Sequence, residues 1–341
     1  MCALKSVTLY FVYHHVLFGV IMLLWLVPTF CLLDRYLSTA LPPSSIPDEL
    51  YPQYTLNSTI PVELMYVDDT DNGAETHFRF PSTVMDNYKR AVEKRLSKLS
   101  VFFFFDDGVQ QSRTHHNQLS QLSRSDWVMY GLISHRLKIN GSNACIFGSM
   151  EPYYELSLLT LGATHVTTIE YNNLTYMHEQ MTTKSKFDFD ALYYSNTSGY
   201  RGSFDLALSI SAFDHDGLGR YGDPLNPEGD LEAMARAKSL LKPGGVLILT
   251  LPIGPDLVVF NLLRRYGEIR LPMMLRGWVV VDRLFWDEAR LNIASNYRQS
   301  YEPIFILQKP HHEETTVLHS MDELSSSNGA MNLEYRIAEP S

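Results

Sequence analysis

The sequence feature that most constrains the fold is a helix-ending turn followed by an apolar run. Residues 242–245 read Lys-Pro-Gly-Gly, and residues 246–251 read Val-Leu-Ile-Leu-Thr-Leu. Proline cannot continue the helix predicted to end at Leu241, and glycine adopts the positive φ that such a turn requires. An uninterrupted apolar strand is typical of a parallel sheet that is covered by helices on both faces. The sequence therefore predicts an α/β fold.

An upstream segment predicts a nucleoside site. Residues 143–147 are expected to form a short buried strand, a helix is expected over residues 152–161, and a second strand ends at Glu170. In such a unit the backbone N–H groups of the first turn face the ligand, and an acid after the second strand accepts hydrogen bonds from the ribose hydroxyls. Glu170 lies 22 positions after Gly148, close to the expected spacing of about 20 residues. Gly148 is the only glycine in its loop.

The chemistry is expected after a later strand, residues 204–210. This apolar run delivers Asp214, His215 and Asp216 to the carboxyl edge of the sheet, where open α/β folds bind ligands. His215 is the natural general base for a hydroxyl acceptor because its ordinary pKa lies near neutrality, and either aspartate would orient it. The alternative is that Asp214 and His215 only cap the next element.

Three stretches carry a resemblance to known families. The turn and strand at 242–251 resemble the late strand of class I S-adenosylmethionine-dependent methyltransferases. Residues 148–155, 168–172 and 215–227, the last with the run Asp-Gly-Leu-Gly-Arg-Tyr-Gly-Asp-Pro, resemble the domain of unknown function 268 family, which is methyltransferase-like. The resemblance covers residues 126–309. It implies a Rossmann-like class I methyltransferase sandwich, a mostly parallel central sheet with helices on both faces, and S-adenosylmethionine as the cofactor.

This interpretation assigns a role to each candidate residue. The predicted cofactor-binding residues are Gly148, Ser149, Glu151, Glu170, Tyr171 and Ser211. The predicted catalytic residues are His215, Asp214 and Asp216. The predicted substrate-binding residues are Arg220, Tyr221, Arg270 and Trp278. The sulfonium of the cofactor is already activated, so positioning of the acceptor contributes most to methyl transfer.

Composition excludes several other classes of function. The net charge of −10, without any basic run, argues against nucleic acid as a partner. The chain has only three cysteines, Cys2, Cys31 and Cys145, which predicts neither a disulfide framework nor a cysteine-based metal site. No metal site is predicted, and the acceptor is expected to be a glycan or a small molecule. The sequence does not specify an oligomeric state.

The N-terminal part predicts a membrane anchor. Residues 16–33 are 18 residues without a charge, which as a helix would span about 27 Å. We expect an uncleaved signal anchor in residues 1–40, with a cleaved signal peptide as the alternative. The charge bias around the segment predicts a single-pass type II protein of the endoplasmic reticulum or Golgi, with the catalytic domain in the lumen. Glycosylation sequons at Asn57, Asn140, Asn173 and Asn196 favour the same orientation and a glycoprotein.

The rest of the chain divides into three parts. Residues 41–125 are expected to form a stem and an accessory helical segment, with a helix that starts at Ser82 or Thr83. Residues 126–309 are the methyltransferase-like domain, and residues 310–341 are a flexible polar tail.

Two alternative functions remain open at this point. Asp-x-Asp pairs at 214–216 and 188–190 suit a Golgi-type glycosyltransferase that holds a divalent metal against a sugar nucleotide. That hypothesis leaves the Lys-Pro-Gly-Gly turn unexplained. A non-catalytic interaction protein with a methyltransferase fold is the other alternative, because the cofactor loop has so few glycines.

Overall fold

The computed structural model describes residues 44–69, 77–100, 122–194, 199–293 and 300–311. The predicted anchor at residues 16–33 and the predicted tail beyond His311 lie outside these ranges. Within them, no helix is both long and apolar enough to cross a bilayer.

The described residues contain twelve strands and eight α-helices, each numbered in chain order. The strands are β1 (Val62–Leu64), β2 (His77–Phe80), β3 (Asn143–Phe147), β4 (His165–Glu170), β5 (Asn173–Tyr176), β6 (Met181–Ser185), β7 (Phe204–Ile210), β8 (Leu241–Thr250), β9 (Leu257–Phe260), β10 (Leu263–Arg265), β11 (Val279–Leu284) and β12 (Ile304–Gln308). The helices are α1 (Tyr51–Tyr54), α2 (Ser82–Ser100), α3 (Arg124–Ser134), α4 (Arg136–Ile139), α5 (Tyr153–Thr160), α6 (Lys186–Tyr194), α7 (Gly229–Leu240) and α8 (Arg270–Leu275).

Seven strands form the central sheet in the order β11-β12-β8-β7-β3-β4-β6. Strands β6, β4, β3, β7 and β8 are parallel to one another, and β12 runs antiparallel to both of its neighbours. The chain crosses over between β4 and β7, so β3 and β7 meet at the point where the strand order reverses. This is the mostly parallel, Rossmann-like arrangement that the sequence predicts, and such a reversal is where open α/β sheets bind ligands.

The central strands are apolar because both of their faces are covered. In β8, Val246 and Ile248 belong to a core that also contains α2, α3 and α5, whereas Leu247 and Leu249 belong to a second core with α7 and α8. All four side chains are buried. The apolar part of this strand shows no alternation of apolar and polar residues because helices cover both faces of the sheet.

The structure around the Lys-Pro-Gly-Gly segment differs in one respect from the prediction. Helix α7 ends at Leu240, and β8 already begins at Leu241, which is buried and pairs with Phe204. The next register pair joins Leu206 to Val246, so residues 242–245 bulge out of the strand. Burial of Leu241 places it in the sheet before the turn, and Gly244, at φ +77°, supplies the left-handed conformation that the bulge requires.

The predicted stem is largely wrong as a description of residues 44–69. Tyr54 and Ile60 are buried in a core with Leu218, Val258 and Phe260. Strand β1 pairs in parallel with β9, and β2 pairs in parallel with β5. Burial of its few apolar residues holds this segment against the domain. Their irregular spacing gives no helical or strand period, so the sequence pattern does not indicate this packing. Helix α2 starts at Ser82 as predicted.

Candidate functional site

An open cavity lies at the carboxyl edge of the sheet, where β3, β4 and β7 end. Its lining consists of Phe147, Gly148, Met150, Ile169, Glu170, Tyr171, Lys186, Ser211, Ala212, Phe213, His215, Asp216 and Tyr221. Seven predicted site residues, from both the cofactor and the acceptor groups, therefore line one pocket together.

Gly148 allows β3 and the segment after β7 to approach each other closely. Its φ is +70°, and a Cβ placed on it would lie 2.4 Å from the Cβ of Ala212. The same position would lie 4.0 Å from Oε2 of Glu170. Ser211, on the other side of this contact, also has a positive φ of +49°. Only glycine fits at Gly148 without movement of the neighbouring backbone.

Glu170 presents a buried carboxylate to the cavity. Its side chain is only 5% exposed, and desolvation raises its pKa. The backbone N–H and the side-chain amide of Asn172 both donate to Oε1, at 3.3 and 3.1 Å. Among the residues that the structure describes, no cationic group forms an ion pair with Glu170. Because Oε2 faces the Gly148 side of the cavity, this carboxylate is available to hydroxyl groups of a ligand.

His215 is held in one tautomer at the cavity wall. Its Nδ1 lies 2.6 Å from the carbonyl oxygen of Leu262, so the hydrogen is on Nδ1 and Nε2 keeps its lone pair. Burial, assisted by the nearby Arg220, lowers the pKa of His215 to about 4. The imidazole is therefore neutral at pH 7 and is able to accept a proton.

Asp214 lies next to that imidazole, away from the cavity. Its Oδ2 is 3.6 Å from His215 Nε2, and neither carboxyl oxygen has a hydrogen-bond partner among the described residues. The side chain is fully buried, and desolvation raises the pKa of Asp214 to about 7. Burial thus favours the uncharged forms of both members of this pair.

Four side chains stack along one side of the cavity, and we call them the ring stack: Lys186, Tyr171 and Tyr221, which line the cavity, and Arg220, which lies behind Tyr221. The two tyrosine rings are nearly parallel, with centroids 5.4 Å apart. Lys186 Nζ lies 5.3 Å from the centroid of Tyr171, and the Arg220 guanidinium lies 5.0 Å from that of Tyr221. The Tyr171 hydroxyl also donates to Asp216 Oδ1 at 2.9 Å. The stack thereby joins the end of β4 to the loop that follows β7.

Asp223 shapes that loop, and the sequence analysis did not single it out. Its buried carboxylate accepts the backbone N–H groups of Gly217, Gly219 and Tyr221, at 2.7, 3.3 and 3.2 Å. A signal was present in the sequence, because Asp223 directly follows a glycine-rich run and aspartate commonly hydrogen-bonds nearby backbone groups in turns. Lys186 was also missed, since it follows a strand with no distinctive pattern.

Six predicted site residues do not line the cavity: Asp214 and Arg220, described above, and Ser149, Glu151, Arg270 and Trp278. Ser149 is buried and donates to the carbonyl of Glu151, whereas the Glu151 side chain is exposed beside Tyr88. Arg270 is buried and bonds to Asp230, a pairing that satisfies its charge inside the protein. Trp278 packs in the core, because its large apolar ring is more stable away from water. The last two are therefore corrected from substrate-binding residues to structural ones.

The Asp-x-Asp pairs do not converge on a common point. Asp214 is sealed beneath the cavity, whereas Asp216 bonds to Tyr171 in its wall. In the other pair, Asp190 bonds to Lys186 and Arg236. In the described part of the chain, no group of three or more His, Cys, Asp or Glu residues is arranged to hold a metal ion.

Comparison with solved structures finds distant similarities. A Burkholderia thailandensis 1,6-didemethyltoxoflavin-N1-methyltransferase, with bound 1,6-didemethyltoxoflavin and S-adenosylhomocysteine, is 16% identical with a TM-score of 0.37, over 60% of this chain and 93% of its own. An S-adenosylmethionine-dependent methyltransferase from Mesorhizobium loti is 12% identical with a TM-score of 0.36, over 53% and 97%. The N-methyltransferase NodS from Bradyrhizobium japonicum is 11% identical with a TM-score of 0.36, over 55% and 99%. Scores this low carry no argument about function, and the fold assignment rests on the strand order.

Sequence comparison is more informative. No curated protein matches the chain. A family model described as "Caenorhabditis protein of unknown function, DUF268" matches residues 141–319. This range includes the strands that form the cavity and the Asp-Gly-Leu-Gly-Arg-Tyr-Gly-Asp-Pro loop. Because the match spans more than half of the 341 residues, the chain belongs to the DUF268 family.

Proposed function

We propose that this protein is an S-adenosylmethionine-dependent methyltransferase. The observation that carries the proposal is the Glu170 carboxylate, which is buried at the end of β4 and faces the close approach of Gly148 to Ala212. It has no cationic partner in the described part of the chain. A carboxylate at this point of a Rossmann-like sheet is suited to accept hydrogen bonds from the two ribose hydroxyls of a nucleoside. Leaving it buried without such a ligand is costly.

Other residues of the pocket suit the remainder of the cofactor. The backbone of residues 148–150 and Ser211 lie on either side of the glycine contact and would hold the amino-acid part. Glu170 and Asp216 give the cavity two carboxylates, which favour a ligand that carries a positive charge. The cofactor when bound supplies an electrophilic methyl group on a sulfonium, so the chain has only to position the acceptor.

His215 would accept the proton of the acceptor. Nδ1–H is fixed on the Leu262 carbonyl, which leaves Nε2 as the basic nitrogen. When Asp214 is ionised, its charge 3.6 Å from Nε2 stabilises the imidazolium that forms. This pairing suits an acceptor hydroxyl, on a glycan or a small molecule, that must lose its proton as the methyl group is transferred.

The test is isothermal titration of S-adenosylmethionine and S-adenosylhomocysteine into the protein, beside Glu170→Gln. Loss of the carboxylate is expected to weaken both ligands by about 10-fold or more, since hydrogen bonds to a charged group are worth about 1.5–3 kcal/mol. Glu151→Gln is the matched control, because this exposed acid in the same region lies outside the cavity. Its affinities are expected to remain within about twofold of the wild type.

Two outcomes would contradict the proposal. The first is a folded wild-type protein that binds neither ligand at millimolar concentration. The second is a Glu170→Gln variant whose affinities equal those of Glu151→Gln, which would move the ribose site away from β4.

We further propose that residues 16–33 anchor the protein in the endoplasmic reticulum or Golgi membrane, with the pocket in the lumen. The support is the uncharged sequence, together with the exposure of the sequon residues Asn57 and Asn140. The expected result is a protein that resists carbonate extraction and loses mass on treatment with an N-glycosidase. Extraction into the soluble fraction without any change in mass would overturn this proposal.

A further inference from the structure

Residues 44–69, which the sequence predicts as a stem, are fastened to the loop that forms one side of the cavity. The Tyr54 hydroxyl donates to the carbonyl of Gly217. The backbone N–H of Asp69 donates to the carbonyl of Arg220 at 3.1 Å, and Arg220 Nε donates to Asp69 Oδ2 at 2.6 Å. Val67 exchanges two hydrogen bonds with the side chain of Asn261, at 2.8 Å each, which fix the segment immediately before Asp69.

The positively charged guanidinium of Arg220 lies behind the wall of the cavity. Its guanidinium lies over the ring of Tyr221, which lines the cavity. Its Nη1 is 3.4 Å from Nδ1 of His215, and both nitrogens point toward the Leu262 carbonyl. The side chain is 18% exposed, so water screens this charge only in part.

Two cations beside the cavity are each paired with a carboxylate. Glu170 and Asp216 line the cavity, and Lys186, at one end of the ring stack, pairs with Asp190 at 2.7 Å. Asp69 is the corresponding acid at the other end of the stack. Over the ranges that the structure describes, Asp69 is the only carboxylate in an ion pair with Arg220.

We propose that Asp69 is a specificity-determining residue that neutralises Arg220 and thereby lets the cavity prefer a cationic ligand to its neutral counterpart. The inference rests on the proposed function, because the two ligands are the sulfonium cofactor and its thioether product. S-Adenosylmethionine carries one more positive charge than S-adenosylhomocysteine. An unpaired Arg220 behind His215 and Tyr221 repels that additional charge and leaves the product's binding nearly unchanged.

The experiment measures the dissociation constants of both ligands for the wild type and for Asp69→Asn. The variant is expected to weaken S-adenosylmethionine about three- to tenfold, as expected for one charge acting over about 10 Å near a protein surface. Binding of S-adenosylhomocysteine is expected to change less than about twofold. Asp69→Glu keeps the charge and is expected to restore most of the preference. Glu49→Gln removes an exposed charge from the same segment and is the matched control.

A second variant tests whether Asp69 acts through Arg220. In Asp69→Asn/Arg220→Gln no unpaired cation remains, so the ratio of the two dissociation constants is expected to return toward the wild-type value. A purely structural role of Asp69 would weaken both ligands equally and would not be reversed by the second substitution. The proposal is overturned if Asp69→Asn leaves the ratio unchanged, or if the altered ratio persists in the double variant.

Amide hydrogen exchange separates this proposal from the proposed function. Asp69→Asn is expected to speed exchange over residues 214–223, because the loop loses one of its attachments, whereas Glu49→Gln leaves it unchanged. If the wild type binds neither ligand, the proposed function fails. If exchange is nevertheless faster in Asp69→Asn, Asp69 still holds the loop in place. If exchange is unchanged, this structural role of Asp69 is overturned as well.

Discussion

Asp214 carries a carboxyl group that folding removes from water, and none of the residues described in the structure provides it with a hydrogen-bond partner. Desolvation raises its pKa from 3.8 to about 7, so the native state holds this proton more tightly than the unfolded state does. The contribution of Asp214 to stability therefore falls as the pH rises through this interval and stays low above it. The neighbouring His215 has the opposite sign, because its lowered pKa destabilises the native state as the pH falls from 6.5 toward about 4.

The resulting prediction concerns Asp214→Asn, which mimics the protonated acid. At pH 8 the variant is expected to be more stable than the wild type by about 1–3 kcal/mol, and near pH 4 the difference is expected to fall below about 1 kcal/mol. Thermal unfolding followed by circular dichroism at both pH values measures this difference. Asp48→Asn, at an exposed carboxylate, is the matched control. Equal destabilisation of Asp214→Asn at both pH values would contradict the prediction.

At the scale of elements, the loop between β3 and α5 is defined by a single glycine. Gly148→Ala is expected to lose at least about 1 kcal/mol to its positive φ, and the clash with Ala212 adds to this loss and displaces the loop. Gly141→Ala separates the two effects, since Gly141 has a φ of +79° and nothing within 4 Å of an added Cβ. Affinity for S-adenosylhomocysteine is expected to fall about 10-fold or more in Gly148→Ala alone. Equal affinities in the two variants would show that the close approach is not needed for binding.

The elements that the sequence predicts well are those with a strong local pattern. Strands β3, β4 and β7 are short runs rich in apolar and β-branched residues, the second half of β8 is almost wholly apolar, and α2 has an apolar face at helical spacing. Strands β1, β2, β9 and β10 have only three or four residues each, too few to establish a period. Their pairing depends on partners that are distant in the chain, such as β1 on β9.

The same distinction holds for the candidate site. Gly148, Glu170 and the Asp214–His215 pair follow buried strands, so the rule for parallel sheets predicts that they meet at one edge. Arg270 and Trp278 were misassigned because a charged or aromatic side chain looks the same in sequence whether it faces a ligand or a core. Asp69 was missed because its contact with Arg220 spans about 150 residues and depends on the packing of the whole N-terminal segment.

For the whole molecule, the arrangement predicts that the methyltransferase-like domain is not complete at residue 126. Helix α2 contributes four side chains to the main core, Met85, Val92, Leu96 and Leu99. The segment before it covers Leu218, Val258 and Phe260 with Tyr54 and Ile60. Burial of each large apolar side chain contributes about 1.5–3 kcal/mol, so together these side chains contribute an amount comparable with the net stability of a typical domain, about 5–15 kcal/mol.

A fragment of residues 126–309 is therefore expected to lack a cooperative thermal transition, whereas a fragment of residues 44–311 is expected to unfold in one step. Circular dichroism measures both, and binding of a hydrophobic dye should increase for the shorter fragment because the apolar surfaces around Phe260 and β3 become exposed. Adding residues 77–125 alone is expected to restore only part of the stability, since Tyr54 and Ile60 are still missing. If residues 126–309 unfold cooperatively within a few degrees of the longer fragment, the N-terminal segment is an accessory, as the sequence alone predicts, and not a part of the folding unit.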